Sequence, residues 1–140
     1  MRPAEFQVYG VSFIGLAPAA VGNAILTFDA SSDFIWYYAA FTALNHAANT
    51  GWTSATEYVP PIRVLMTPGD TSTQMMNIAV PLTHFFGTGR LPFFLPAPRK
   101  LPARTTMVFQ VTNDDTTITY DLWLSLIGVR QFLVQQAATS

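Results

Sequence analysis

Two histidines are the only side chains in the chain that suggest a metal site. His46 and His84 are the only histidines in 140 residues, and cysteine is absent. A metal site of the cupin kind needs several imidazoles and a carboxylate around one ion, and no close pair of histidines with an acidic neighbour occurs. Residues 82–86 around His84 are mostly apolar, which predicts a hydrogen-bonded histidine in the core or at an interface. His46 is predicted at an ordinary polar position near a turn, so we expect neither a metal nor a cofactor.

Paired carboxylates are the second feature that could support catalysis. Asp29 and Asp33 are four residues apart, and a glycosidase uses two acids of this kind. Because Asp and Ser side chains bond nearby backbone groups, residues 29–33 are instead predicted to form a structured turn. Asp114 and Asp115 are interpreted in the same way, as a turn whose adjacent carboxylates attract a cation only weakly.

Motifs for nucleotide binding and for nucleophilic catalysis are missing from the sequence. Gly87, Thr88 and Gly89 lack the lysine of a P-loop and the following helix of a dinucleotide-binding fold. The serines have no nucleophile-elbow context, and without cysteine there is no thiolate nucleophile. The sequence therefore predicts that the protein is not an enzyme.

Residues 90–104 form the segment that most strongly suggests binding. They combine four prolines, two adjacent phenylalanines and four of the seven cations of the chain. Because proline removes backbone donors and favours extended chain, the segment is predicted to be a loop rather than a ladder strand. In one interpretation it docks on a partner through Phe93 and Phe94, while Arg99, Lys100 and Arg104 steer it toward an acidic surface. In the other, it is a long loop in which Phe93, Phe94 and Leu95 fold back onto the core.

Trp52 marks a second candidate contact, in the polar, small-residue stretch 49–56. A tryptophan in a polar loop serves as an interface anchor or as a platform for a sugar ring. The alternative is a tryptophan that caps one end of the fold. The predicted partner-binding residues are thus Trp52, Phe93, Phe94, Arg99, Lys100 and Arg104.

Short β-branched and aromatic runs between Gly, Pro, Asn and Asp predict the elements that position these residues. Strands are expected at residues 6–14, 23–28, 34–42, 61–67, 77–86, 105–112 and 117–127. A short helix over residues 39–48 is an alternative for part of the third strand. Seven or eight strands fit one all-β domain over residues 1–140, an antiparallel β-sandwich best described as a jelly roll of about eight strands with long loops.

The last two predicted strands show the clearest alternation. Met107, Phe109 and Val111 share one face of the first, and residues 118, 120, 122, 124 and 126 share one face of the second. Period-two alternation is typical of half-buried antiparallel strands. The polar residues 113–116 between them predict a hairpin.

The composition of the chain indicates covered surface. Only 11% of residues are charged, whereas 50% are hydrophobic and 14% aromatic. Globular domains carry about 25% charged residues, so much of the surface is predicted to contact other protein. The net charge of −1 argues against nucleic acid. Residues 6–28 carry no charge, but glycine and proline interrupt them, so neither a membrane span nor a signal peptide is expected.

Four stretches resemble small virion proteins of tailed bacteriophages. They are residues 28–36 (FDASSDFIW), 62–66 (IRVLM), 95–98 (LPAP) and 126–132 (LIGVRQF). In this order they resemble above all the jelly-roll cement, or decoration, protein on the outside of the capsid. The resemblance implies a homodimeric structural protein that binds across neighbouring subunits of the major capsid protein and clamps the expanded shell. It implies no catalytic residue, and the apolar start of this chain departs from the usual pattern.

The expected function is therefore stabilisation of a capsid by many modest contacts repeated by symmetry. The expected location is the outer surface of the virion, after synthesis in the host cytoplasm. The alternative is a glycan- or receptor-binding jelly roll of a head fibre or tail component, which would use Trp52 and its polar neighbours.

Overall fold

The computed structural model describes residues 4–48, 60–69, 75–88 and 91–132, and the chain there is built from strands. Its eight strands are β1 (Ala4–Leu16), β2 (Val21–Thr27), β3 (Ser32–Asn45), β4 (Ile62–Pro68), β5 (Val80–Pro81), β6 (Phe93–Leu101), β7 (Thr106–Asn113) and β8 (Tyr120–Phe132). Two single-turn 3₁₀ segments, His46–Ala48 and Leu82–His84, follow β3 and β5.

The strands form two four-stranded antiparallel sheets. Sheet I has the order β1-β8-β3-β6, and sheet II has the order β2-β7-β4-β5. Apart from β4 and β5, strands that follow one another in sequence lie in different sheets, so the chain crosses repeatedly between the layers. An eight-stranded double sheet of this kind is a jelly roll, which confirms the predicted all-β sandwich.

The core between the sheets is apolar and follows the predicted alternation. On β7, Met107, Phe109 and Val111 are buried, and on β8 the inward residues Leu122 and Leu124 are buried as well. Burial of alternate residues fixes which face of each strand turns inward, because a slip by one residue would expose the whole apolar set.

The predicted hairpin between residues 105–112 and 117–127 is wrong. The β7 strand pairs with β2 and β4 in sheet II, whereas β8 pairs with β1 and β3 in sheet I. Asn113 stabilises the crossing, since its buried side-chain amide donates to the carbonyl oxygens of Leu16 (3.1 Å), Ala17 (3.1 Å) and Ile118 (2.9 Å). Alternation predicts two half-buried strands, but it does not distinguish a hairpin from two strands in facing layers.

Two other predicted elements differ from the structure. Residues 77–86 are not one strand, because only Val80–Pro81 pairs with β4 and Leu82–His84 forms a 3₁₀ turn. Proline at position 81 lacks the N–H group that a longer ladder needs. The helix considered for residues 39–48 does not form; β3 runs through to Asn45, and only His46–Ala48 turns.

The uncharged residues 6–28 form β1 and β2 and the turn between them. In the described part of the chain, no helix has the length and hydropathy to cross a membrane.

The predicted loop over residues 90–104 is also wrong. Residues 93–101 of this segment form β6, the edge strand of sheet I, which pairs with β3 at Ala39↔Phe93, Tyr38↔Phe94, Trp36↔Arg99 and Ile35↔Lys100. The pairing shifts register between Trp36 and Tyr38, so the proline-containing residues 95–98 form a bulge. Proline is tolerated in a sheet at such edges and bulges, where a ladder bond is not required.

Candidate protein-binding surface

The outer face of sheet I is unusually apolar. On β1, Tyr9 and Val11 pack against the core. Because successive side chains of a strand point to opposite faces, Phe6 and Val8 point outward, and they are 72% and 44% exposed. Directly opposite residues of paired strands share a face, so the strand register identifies which residues of the neighbouring strands point outward beside Phe6 and Val8.

Two rows of outward apolar side chains cross the sheet. One row joins Phe6 on β1, Val129 on β8 and Ile35 on β3. The next row joins Val8, Ile127, Tyr38 and Phe94, and it spans all four strands. We call these seven residues the apolar face: Phe6, Val8, Ile35, Tyr38, Phe94, Ile127 and Val129.

The seven side chains of the apolar face are uncharged, and Lys100 on β6 borders the shorter row at Ile35. At the β6 margin of the apolar face, the ring of Phe94 makes an edge-to-face contact with the ring of Tyr38, and the two ring centroids are 4.6 Å apart. Phe94 remains 64% exposed. Since transfer of apolar surface out of water contributes about 25 cal/mol per Å², covering this face with a partner would be favourable.

Small side chains form a shallow depression beside these rows. It has a volume of ≈ 230 Å³ and is lined by Gly10, Ser12, Trp123 and Ser125, together with two residues of the same strands. Gly10 lies opposite Ser125, and Ser12 lies opposite Trp123. The depression therefore combines an indole with two hydroxyl groups on the outer side of sheet I.

The chain was compared with protein-family models, with curated proteins and with solved structures. No match was found in any of the three comparisons. The geometry of the surface therefore carries the functional argument.

The structure separates the predicted partner-binding residues of β6. Phe94 belongs to the apolar face, but Phe93 is half-buried and stacks on Phe85, with ring centroids 5.3 Å apart. Arg99 lies opposite Trp36, whose side chain is fully buried, whereas its neighbour Lys100 lies opposite Ile35 on the outer face. Adjacent strand residues point to opposite sides, so the two cations do not form one patch.

Lys100 and Arg104 likewise do not come together in one basic patch. The Lys100 ammonium lies 3.3 Å from the carboxylate of Asp33, which is 5% exposed and also accepts the backbone N–H of Ala103. Arg104 is exposed in the turn before β7, where its backbone N–H donates to the Asp29 carbonyl. The partner-binding role of these residues stays a prediction, but their predicted arrangement as a basic docking loop does not occur. Trp52 lies outside the described residues.

A groove runs beside the β6 bulge. It has a volume of ≈ 440 Å³ and is lined by Met75, Phe85 and the bulge residues 95–98, with Arg99 and Lys100 at one end. Phe93 and Leu95 turn inward from the strand, as the second interpretation of this segment predicted, but Phe94, which it also placed against the core, is exposed.

The titratable groups of the described residues do not form a metal site. There, no group of three or more His, Cys, Asp or Glu side chains is placed to hold a metal ion. His84 is exposed in its 3₁₀ turn, so the core position is wrong, while the alternative of an interface position stays a prediction. His46 lies near a turn as predicted, and its Nδ1 is 2.7 Å from Oδ1 of the buried Asp121.

The aspartate turns are confirmed at Asp29 and Asp115, whereas Asp33 lies in β3 rather than in the predicted turn over residues 29–33. The backbone N–H and the hydroxyl of Ser31 both donate to Oδ1 of Asp29 at 3.0 Å, and they hold the pKa of this carboxyl below its ordinary value. In the second turn, Asp115 accepts the backbone N–H groups of Thr117 and Ile118, which lower its pKa in the same way. Hydrogen bonds to a carboxylate favour its charged form.

Sequence reasoning missed the main part of the apolar face. The signal was present in β1, where residues 6 and 8 are apolar on one side and residues 9, 11 and 13 are apolar on the other. A strand that is apolar on both sides is typical of a sheet covered on both faces. The low charge of the chain pointed to such a surface without locating it.

Proposed function

We propose that the protein is a non-enzymatic structural virion protein that binds the outer surface of a bacteriophage capsid through the apolar face. It clamps neighbouring major capsid subunits and stabilises the expanded shell, in the manner of a cement protein. The observation that carries the proposal is the uncharged, four-strand-wide apolar surface on the outside of sheet I.

Burial of the apolar face supplies the binding energy in this proposal. Antiparallel sheets that cover a core on one side usually present polar residues to water on the other. Fully covering one exposed Val or Phe side chain contributes about 1.5–3 kcal/mol. A partner that covers Phe6, Val8 and Phe94 together therefore gains enough to offset part of the entropy lost on association.

The jelly-roll architecture and the resemblance to phage decoration proteins support the choice of partner. A rigid sandwich presents its outer sheet as a preformed surface, so little ordering accompanies binding. Repetition of the contact over a symmetric shell multiplies a modest single affinity. The proposal includes a homodimer as the unit that bridges two capsid subunits, and Phe94 and Lys100 at the β6 margin as contact residues.

Co-sedimentation with capsid shells tests this function. Purified protein is mixed with immature and with expanded shells of the virus that carries this chain. Binding to expanded shells alone, in a fixed ratio to capsid subunits, is the expected result. A protein that stays in the supernatant with both kinds of shell would overturn the proposal.

Glycan binding is a second candidate, favoured by the depression at Trp123. Indole rings form platforms for sugar rings, and Ser12 and Ser125 line the same depression with hydroxyl groups that can bond to a saccharide. A glycan array probed with the wild type and with Trp123→Ala tests this candidate. A saccharide bound by the wild type and lost in the variant would support it, whereas an array without signal would exclude it.

A further inference from the structure

The two flanks of the sandwich differ in how their edge strands are protected. On one flank, β6 carries two prolines in a bulge, and β5 has only two residues, one of them Pro81. Proline, bulges and short length are the devices that prevent an edge from pairing with another chain. On the other flank, β1 and β2 contain no proline, lysine or arginine.

The β1 edge is long, and its one register irregularity lies near its end, between Phe13 and Leu16. It extends over 13 residues, Ala4–Leu16, and pairs with β8 on one side. Among the described residues, no strand pairs with its other side. Strands in globular proteins are usually about 5–6 residues long, so β1 offers an extended row of backbone donors and acceptors.

We propose that β1 pairs antiparallel with β1 of a second copy of this chain, about a two-fold axis at Gly10. Gly10 is the central residue of Ala4–Leu16, and the ladder of β1 is regular up to Phe13, so an axis there allows residues 7–13 to pair with their copies. Val8 of one copy then lies opposite Ser12 of the other, and Phe6 lies beside Ile14, next to the irregular end of the partner strand. Phe6 and Ile14 are 72% and 58% exposed in the single chain, and this register covers both.

The charges of β1 are compatible with this pairing. Glu5 is the only charged residue of the strand, and its carboxylate is bound by Arg130 at 2.8 Å. With the axis at Gly10, Glu5 lies opposite Gly15 rather than opposite its own copy. No like charges therefore meet across the pair.

The paired strands would join two copies of sheet I into one eight-stranded sheet. The two apolar faces would then lie side by side on one continuous surface, as a clamp across neighbouring subunits requires. This inference rests on the proposed function only in explaining what the dimer would be used for. The dimer is measured in solution without any shell, so its failure is distinct from a failure to bind capsids.

The molar mass of the full chain in solution is the first test. Light scattering is expected to give twice the 15.4 kDa of one chain. Gly10→Lys places two like charges opposite one another at the axis, and we expect the dissociation constant of the dimer to rise at least about tenfold. The matched control is Asn23→Lys, an exposed position on the neighbouring edge strand β2, which should leave the dimer intact. A monomeric wild type would overturn the proposal.

Cross-linking locates the interface independently of the lysine variant. A side chain at Gly10 would meet only the backbone oxygen of Leu124, at 3.5 Å, which is ordinary contact. Gly10→Cys is therefore expected to fold, and because the chain has no other cysteine, it should form a disulfide-linked dimer under mild oxidation. Asn23→Cys is expected to cross-link far more slowly. A dimer in which Asn23→Cys cross-links at least as fast as Gly10→Cys would place the interface elsewhere and overturn the proposal.

Discussion

The outer faces of the two sheets differ although the sheets share one core. On sheet II, every row of outward residues contains a polar side chain: Val21–Thr112–Arg63, Asn23–Gln110–Leu65, Ile25–Val108–Thr67 and Thr27–Thr106. On sheet I, the row Val8–Ile127–Tyr38–Phe94 contains none of the charged or amide side chains found there, and the row Phe6–Val129–Ile35 meets a charge only at Lys100 on β6.

Charge is scarce on both outer faces, because Arg63 is the one charged residue in these rows of sheet II, so the two sheets differ mainly in their uncharged polar side chains. Sheet II follows the usual pattern of an antiparallel sheet with one solvated face, and it carries a bidentate ion pair between Arg63 and Asp114 with contacts of 2.6 and 2.9 Å. Sheet I departs from the pattern on one surface only. Exposed apolar side chains such as Val21 and Ile25 also occur on sheet II, but there they share their rows with polar residues, so the continuous apolar surface lies on sheet I.

The largest expected effect on stability comes from comparing a phenylalanine on the core side of sheet I with one on its outer side. Phe34 is fully buried in the core, whereas Phe94 is 64% exposed on the apolar face. We expect Phe34→Ala to lower the free energy of unfolding by about 3–5 kcal/mol, and Phe94→Ala to lower it by less than about 1 kcal/mol. Urea denaturation measures both, and equal losses would show that Phe94 serves stability rather than binding.

A matched pair of double variants compares the two outer faces directly. Val8→Lys/Phe94→Lys places charges on the apolar face, and Ile25→Lys/Val108→Lys places them on sheet II. The first pair is expected to weaken shell binding about 100-fold, because burial of two apolar side chains at about 1.5 kcal/mol each is lost. The second pair should bind as the wild type does.

Co-sedimentation measures the binding of both double variants, and the free energy of unfolding serves as the control for folding. If the variant on sheet II lost binding and the variant on sheet I did not, the assignment of the binding face would be reversed.

Asn113 joins the two sheets, and its removal is expected to have an intermediate effect. Its amide is the side-chain donor to three carbonyl oxygens at the end of the sandwich. Asn113→Ala leaves these groups without that donor, so we expect a loss of about 1–3 kcal/mol in the free energy of unfolding. Asn23→Ala, at an exposed position, is the control and should change stability by less than about 0.5 kcal/mol.

The strands and the core were predictable from the sequence where alternation is strict. The inward set of β7 and most of that of β8 follow from period two alone, because each strand buries one face. The aspartate turns were predictable too, since they depend on local bonds between a side chain and the backbone two residues on.

The remaining features depend on distant parts of the chain. Residues 90–104 were predicted as a loop because their prolines oppose a ladder, yet the bulge opposite Tyr37 lets β6 pair at both of its ends. The apolar face is assembled from β1, β3, β6 and β8, which lie far apart in sequence. Its existence was indicated by the composition, but its location needs the strand order.

The smallest expected effect concerns pH and again contrasts sheet II with the turn beside it. Hydrogen bonds from the side chain of Arg63 hold the pKa of Asp114 below its ordinary value, whereas backbone N–H groups hold that of Asp115 low. A carboxyl group with a lowered pKa in the folded state stabilises the fold above its unfolded pKa of about 3.9, and this contribution is lost as the pH falls through the folded value. We therefore expect the stability of the wild type to decline below about pH 4.

Two variants separate these contributions. Asp115→Asn keeps an oxygen acceptor for the turn but does not titrate, so its stability should fall less steeply between pH 5 and pH 2, at low and at high salt alike. Asp114→Asn should flatten the profile at low salt only, because about 1 M salt screens the exposed ion pair in the wild type as well. Urea denaturation across this pH range provides the measurement. A profile for Asp115→Asn as steep as that of the wild type would mean that the backbone bonds of this turn do not couple folding to pH.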